Sequence, residues 1–176
     1  MSRHVLILGG ARSGKTSLAE RVAMRLGSRP AYLATAEALD DEMTERVAAH
    51  QRSRSARFAT VEEPLELPEA LFATAQQHDV ILVDCLTLWI TNLLSMERDV
   101  ADEVEVLADT LQSIESTRVL LVSNEVGLGI VPDNALARTF RDLTGSAHQR
   151  LGEICSDVYF VAAGIPMVVK GKPPEL

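Results

Sequence analysis

Eight consecutive residues, Gly9-Gly10-Ala11-Arg12-Ser13-Gly14-Lys15-Thr16, constrain this chain more than any other stretch. They read G-x-x-x-x-G-K-[ST], follow the apolar run at residues 4–8, and open a helical pattern from about Lys15 to Leu26. A strand, a glycine-rich turn and a helix in that order make a phosphate-binding loop. The glycines let backbone N–H groups turn inward around an anion. Lys15 adds a point charge for the outer phosphates, and Thr16 offers a hydroxyl to Mg²⁺. The helix that follows aims its positive N-terminal end at the same anion. Residues 9–16 are therefore candidate nucleotide contacts, with Lys15 also a catalytic candidate and Thr16 a metal ligand. The competing reading is a glycine-rich strand-to-helix turn that binds nothing.

The rest of the chain repeats the alternation. Strand-length apolar runs occur at residues 5–8, 31–34, 58–61, 80–83, 119–122, 158–162 and 167–169. Helical spacing fills residues 40–54, 68–78, 86–95, 100–116 and 135–154. This order predicts an α/β fold of the P-loop NTPase type, a mostly parallel sheet flanked by helices. The last two runs surround Gly164-Ile165-Pro166, which predicts a hairpin and an antiparallel C-terminal edge strand. With 176 residues the chain is expected to form one nucleotide-binding domain, residues 1–176. The tail from Gly171 to Leu176 is expected to fray.

Charge and composition exclude some classes. The formal net charge is −8, which argues against a general nucleic-acid binder, since those present a basic face. No apolar stretch reaches the roughly 18 residues of a membrane span. Met1-Ser2-Arg3-His4 runs straight into a strand without signal-peptide architecture. Cys85 and Cys155 are far apart and read as reduced, buried small residues. The expected location is cytoplasmic.

Several residues outside the loop carry possible chemistry. Asp84 ends an apolar strand, and ligands of parallel sheets gather at that edge. It is a candidate for Mg²⁺ opposite Thr16, or alternatively the N-cap of the next helix. In the helical pattern at 40–54, His50 has Arg46 and Arg54 four residues to either side, on one helix face. Two guanidiniums disfavour protonation of an imidazole and attract the phosphate that a neutral ring attacks. A solvated charged face with an incidental histidine fits the same spacing. His4, His78 and His148 read as surface or element-end residues. Ser123, Asn124 and Glu125 end a buried strand and precede Gly127, Gly129 and Pro132. They either read a substrate or close a strand exit with local hydrogen bonds. Trp89 belongs to the core, a subunit contact or a pocket wall. Glu62 and Glu63 are loop acids, with a carboxylate available to guanine or ribose.

Taken together, these stretches resemble the bifunctional adenosylcobinamide kinase/adenosylcobinamide-phosphate guanylyltransferase family of cobalamin biosynthesis. The resemblance rests on residues 9–16, Tyr32-Leu33-Ala34-Thr35-Ala36, Asp41-Glu42-Met43 with Arg46 and His50, Val83-Asp84-Cys85-Leu86-Thr87, Thr91-Asn92-Leu93-Leu94 and residues 123–134. It continues through residues 137–142 and His148-Gln149-Arg150-Leu151. The family implies two reactions at one nucleotide site. ATP or GTP phosphorylates adenosylcobinamide; GTP then donates GMP through an enzyme histidine to adenosylcobinamide phosphate, giving adenosylcobinamide-GDP. The guanylylated histidine falls on His50. Guanine-nucleotide contacts fall on residues 9–16, Ala34, Thr35, Ala36, Gln51, Arg52, Ser53, Arg54, Glu62 and Asp84. The resemblance also implies a homo-oligomer, a trimer. Phe58 stands where the family often has Trp, and His148 where it often has Asn.

Attack at two different phosphorus atoms makes the 40–54 helix a candidate moving element. Two other functions fit the loop motif: a small-molecule kinase without the transferase step, and a nucleotide-dependent binding protein. Trp89, Asn92 and residues 127–132 are the places to look for the corrinoid.

Overall fold

Val80, Ile81, Leu82 and Val83 are each at most 2% exposed, so this strand is covered on both faces. Such a strand belongs inside a parallel sheet with helices on either side. The structure, a computed structural model, describes residues 3–36 and 55–176. The expected helix at 40–54, with His50 and Gln51 to Arg54, lies outside the described residues.

In chain order the described elements are β1 (Val5–Gly9), α1 (Lys15–Leu26), β2 (Pro30–Ala34), β3 (Ala59–Glu62), α2 (Leu67–Ala75), β4 (Val80–Asp84), α3 (Leu86–Ser95), α4 (Val100–Ser113), β5 (Arg118–Asn124), α5 (Ala135–Ile154), β6 (Asp157–Ala162) and β7 (Ile165–Lys170). The strands form one sheet in the order β3-β2-β4-β5-β1-β6-β7. All neighbouring pairs are parallel except β6 with β7. This is the predicted architecture, including the antiparallel edge.

Side-chain alternation divides the core in two. Val80, Leu82, Leu120 and Val122 pack with Leu18, Ala19, Val22 and Ala23 of α1. Ile81, Val83, Val119 and Leu121 face the other way, onto buried residues of α2 to α5. Trp89 of α3 is fully buried in that second cluster, and its indole N–H donates to the Leu65 carbonyl at 2.8 Å. Trp89 is therefore a core residue.

Local chemistry sets the helix starts. Asp99 caps α4 by accepting from the Ala101 and Asp102 amides, and Asn134 caps α5 by accepting from Ala137. The turn between β6 and β7 is Ala163-Gly164, with φ of 52° and 78°. Two successive positive φ values are what a tight two-residue hairpin requires.

Boundaries differ from expectation where tertiary contacts decide them. β3 starts at Ala59 rather than Phe58, because Phe58 turns inward and meets Tyr32 edge-on at 6.0 Å. α4 stops at Ser113 rather than 116, since Ile114 turns extended and buries its side chain. The tail is tied down at Lys172, whose amide donates to Asp157 while its carbonyl accepts from Tyr159, both at 2.8 Å. No helix among the described residues is long and apolar enough to cross a membrane.

Candidate active site

Parallel register brings the sequence-predicted residues to one edge of the sheet. Ala34 pairs with both Glu62 and Asp84, Asp84 with Val122, and Gly9 with Asn124. The ends of β3, β2, β4, β5 and β1 thus line up, and the loop at 9–16 rises from β1 among them.

The loop is held from three sides. Inside it, the Ser13 amide donates to the Gly10 carbonyl at 3.2 Å. From β5, the Glu125 amide donates to the Gly9 carbonyl at 3.0 Å. From the hairpin, the Gly164 amide donates to the Ser13 carbonyl at 2.8 Å. Gly14 has φ 93°, and a Cβ there would lie 3.0 Å from the Gly164 Cα, so both conformation and space demand glycine. A Cβ on Gly9 would lie 2.6 Å from Ser13 Oγ. Ser13 Oγ itself is buried without a hydrogen-bond partner among the described residues. A buried hydroxyl with an unused donor inside a phosphate loop matches an anionic oxygen as its partner.

Lys15 is 7% exposed, and its ammonium donates to the Gly10 carbonyl at 3.0 Å. Burial lowers its pKa from the usual lysine value, against the upward pull of Cys85 and Asp84. An added polyanion would favour the charged form of this ammonium.

Thr16 Oγ1 donates to Asp84 Oδ2 at 3.2 Å, so the proposed hydroxyl and carboxylate meet as the sequence predicts. The N-cap of α3 is Cys85, which makes no side-chain cap; Asp84 does not fill that role. Tyr32, not among the residues expected at the site, donates its hydroxyl to the same Asp84 Oδ2 at 2.5 Å. Tyr32 sits on β2, two registered pairs before Asp84, and the contact depends on that cross-strand register. Nothing local in the sequence marks it.

Thr35 is fully buried, and its hydroxyl donates to the Cys85 carbonyl at 2.7 Å and accepts from the Cys85 amide at 2.9 Å. Asn92 donates to the Thr35 and Pro64 carbonyls, both at 2.9 Å. With Trp89 in the core, Thr35, Trp89 and Asn92 brace the strand ends beneath the edge. Cys85 and Cys155 are buried free thiols, pushed by burial up to about 11 and about 12. They remain protonated.

The segment after β5 divides by direction. Ser123 is fully buried and Asn124 donates to Thr87 Oγ1 at 3.0 Å. Beyond them, Leu128, Ile130 and Val131 are exposed. Of the two expectations for His4 and His148, surface or element end, the surface one is corrected, since they are 1% and 8% exposed; His4 does stand at an element end, directly before β1, whereas His148 lies within α5. His4 bonds through Nε2 to the Leu111 carbonyl at 2.7 Å and accepts the Val119 amide at Nδ1. His148 lies on the inner face of α5, with Nε2 2.7 Å from Ser123 Oγ. Their burial is set by packing partners more than 20 positions away, which flanking residues do not reveal.

Comparison with known proteins agrees over nearly the whole chain. The family model described as cobinamide kinase / cobinamide phosphate guanyltransferase matches residues 5–169. The bifunctional adenosylcobalamin biosynthesis protein CobP of Pseudomonas aeruginosa is 48% identical over 170 residues, covering 96% of this chain and 98% of its own. The corresponding CobU of Salmonella typhimurium is 39% identical over 183 residues, covering 94% and 99%. Among solved structures, flagellar accessory protein FlaH of Methanocaldococcus jannaschii has a TM-score of 0.54 at 13% identity, covering 97% of this chain and 79% of its own. An ATPase from a bacterial type III secretion system has a TM-score of 0.55 at 12% identity, covering 94% and 56%. At such low identity these two show a shared fold alone.

Proposed function

The chain belongs to the cobinamide kinase / cobinamide phosphate guanyltransferase family, and we propose that one phosphate cradle, residues 9–16 with Asp84, serves both of its reactions. In the first, the corrinoid hydroxyl of adenosylcobinamide attacks the γ-phosphorus of ATP or GTP. The hydroxyl proton is lost and the nucleoside diphosphate leaves. In the second, a neutral His50 nitrogen attacks the α-phosphorus of GTP and pyrophosphate leaves. A phosphate oxygen of adenosylcobinamide phosphate then displaces His50, giving adenosylcobinamide-GDP. His50 carries this role by the family resemblance and lies outside the described residues.

The observation that carries the reading is the 3.2 Å approach of Thr16 Oγ1 to Asp84 Oδ2 beside the lysine of the loop. Phosphoryl transfer needs positioning and charge stabilisation more than covalent help from the protein. Lys15 and the inward amides hold the phosphates, and Ser13 Oγ adds a donor. Tyr32 keeps the Asp84 carboxylate aimed at Thr16. A hydroxyl and a carboxylate are a hard-oxygen donor pair that fits Mg²⁺, and no group of three or more His, Cys, Asp or Glu placed to hold a metal ion occurs among the described residues. Magnesium characteristically takes one or two protein oxygens and completes its shell with phosphate and water. When bound, it would withdraw negative charge from the transferring phosphate. Ala34, Ala36 and Glu62, with Gln51, Arg52, Ser53 and Arg54, complete the nucleotide contacts on the family resemblance; Thr35, fully buried with its hydroxyl held by Cys85, supports that edge from beneath instead. The same resemblance supports a cytoplasmic homo-oligomer, a trimer.

The test is turnover of adenosylcobinamide with GTP labelled at the α or the γ position. The γ label is expected in adenosylcobinamide phosphate. The α label is expected on the protein, acid-labile and alkali-stable, and then in adenosylcobinamide-GDP. A folded His50→Ala variant that still retains α label would sink the histidine assignment. A kinase alone would transfer γ label and never hold α label; a binding protein would turn over neither.

A further inference from the structure

Behind the phosphate edge lies a buried polar group that the two reactions do not use. His148 Nε2 is 2.7 Å from Ser123 Oγ, and its Nδ1 is 3.9 Å from Glu125 Oε2. Ser123 is fully buried and pairs with Leu8, one residue before the phosphate loop begins. Glu125 touches that loop directly, because its amide donates to the Gly9 carbonyl. Its other carboxylate oxygen, Oε1, accepts from the Gly127 amide and closes the turn after β5. One ring therefore connects α5, the end of β5 and the acid next to the phosphate loop.

We infer that His148 is a positioning residue for the triphosphate. As a neutral ring it holds Ser123. On taking up a proton it draws the Glu125 carboxylate towards α5 and makes the phosphate edge less negative. The inference rests on the nucleotide reading above. A protonated ring donates from both nitrogens. The 3.9 Å gap at Nδ1 then closes to an ion pair in competition with the Gly127 turn. A cation and a neutralised carboxylate near the loop both favour a polyanion, and linkage requires the polyanion to favour the protonated ring in return.

The surroundings leave Glu125 as the controlling charge. Burial lowers the His148 pKa and Glu125 raises it. Helix α3 carries no ionisable side chain in Leu86–Ser95, and Cys85 before it stays protonated. On α4, Glu105 and Asp109 act on Arg150 of α5, and Glu153 does the same from within α5. On β5, Arg118 acts on His4 at the opposite end of the strand.

The test uses the whole protein, Mg²⁺ and a GTP analogue with a methylene bridge between the α and β phosphates, which blocks guanylyl transfer. Affinity is measured by calorimetry from pH 7.5 to pH 5.5 for wild type, His148→Asn and His148→Gln. Neither variant can take up the proton. Wild type is expected to bind roughly five- to tenfold tighter, relative to the variants, at the acid end, the low end of an ordinary coupling. The difference between proteins cancels titration of the analogue itself. As a check that needs no variant, ring ¹⁵N shifts of His148 should show its titration midpoint rising when the analogue is bound. Identical pH profiles, a loss of affinity that is constant with pH, or an unmoved ring midpoint would each overturn the inference while leaving the nucleotide site standing. Absence of binding by folded wild type at every pH would instead refute the nucleotide reading, and the inference with it.

Discussion

Tyr32→Phe removes one oxygen from this protein and tests how Asp84 is aimed. The phenol is 3% exposed and donates to Asp84 Oδ2 at 2.5 Å, while its ring meets Phe58 edge-on. The phenylalanine ring keeps that packing, so the substitution removes the hydroxyl and leaves the ring in place. A hydrogen bond to a charged group contributes about 1.5–3 kcal/mol. Thr16 still donates to the same oxygen at 3.2 Å, which places the loss at the low end of that range. A loss of about 1.5 kcal/mol corresponds to about tenfold in an equilibrium constant. If Asp84 holds Mg²⁺ with Thr16, the loss falls on cation binding. The assay is a Mg²⁺ titration of the kinase step at saturating nucleotide, beside a thermal melt. The half-saturating Mg²⁺ concentration is expected to rise about tenfold. A protein of this size that lost 1 kcal/mol of folding stability would melt about 2–4 °C lower. A lower melting point with unchanged Mg²⁺ dependence would refute the reasoning, because Tyr32 would then support the fold and not the carboxylate's aim.

Two further predictions concern folding. Gly14→Ala forces a Cβ into φ 93° and to 3.0 Å from Gly164, and the left-handed backbone alone costs about 1–2 kcal/mol. The melting point should fall by several degrees and nucleotide affinity with it, and an unaffected variant would show that the loop relaxes freely. Burial lowers the His4 pKa, so below the usual value of 6.5 the unfolded chain binds more protons than the folded one. Stability is complete above that pH and declines as pH falls towards the folded pKa, by at most about 1.4 kcal/mol per pH unit for each such group. His4→Gln keeps a donor for Leu111 and an acceptor for Val119, and should flatten the decline in part, since the buried His148 contributes in the same direction. Equal slopes of melting point against pH for both proteins would count against it.

The residues that were legible in the sequence are those whose meaning is local. The phosphate loop follows from eight adjacent residues, and α1, α3 and α5 follow from spacing and from helix starts at Lys15, Leu86 and Ala135. Buried strands such as β4 follow from continuous apolar runs. The place of Asp84 at the end of β4 was legible because it closes an apolar run. Tyr32, Gly164, His4 and His148 were not. Tyr32 looks like any aromatic strand residue until β2 is set beside β4. Gly164 looks like a hairpin glycine until its amide reaches the Ser13 carbonyl.

A strand, a glycine-rich phosphate-loop motif and a helix at the head of an α/β chain are written in adjacent residues, because backbone permissiveness and apolar periodicity act between near neighbours. What the turn leans on is set by packing between distant elements. Sheet register places Glu125 under Gly9, Asp84 against Thr16 and Tyr32, and the β6–β7 turn against Gly14. Those contacts join residues up to about 150 positions apart, and their distances depend on strand order and the crossing of helices. The packing of α4 and α5 on the sheet buried two histidines, His4 and His148, where burial rather than flanking sequence governs their protons.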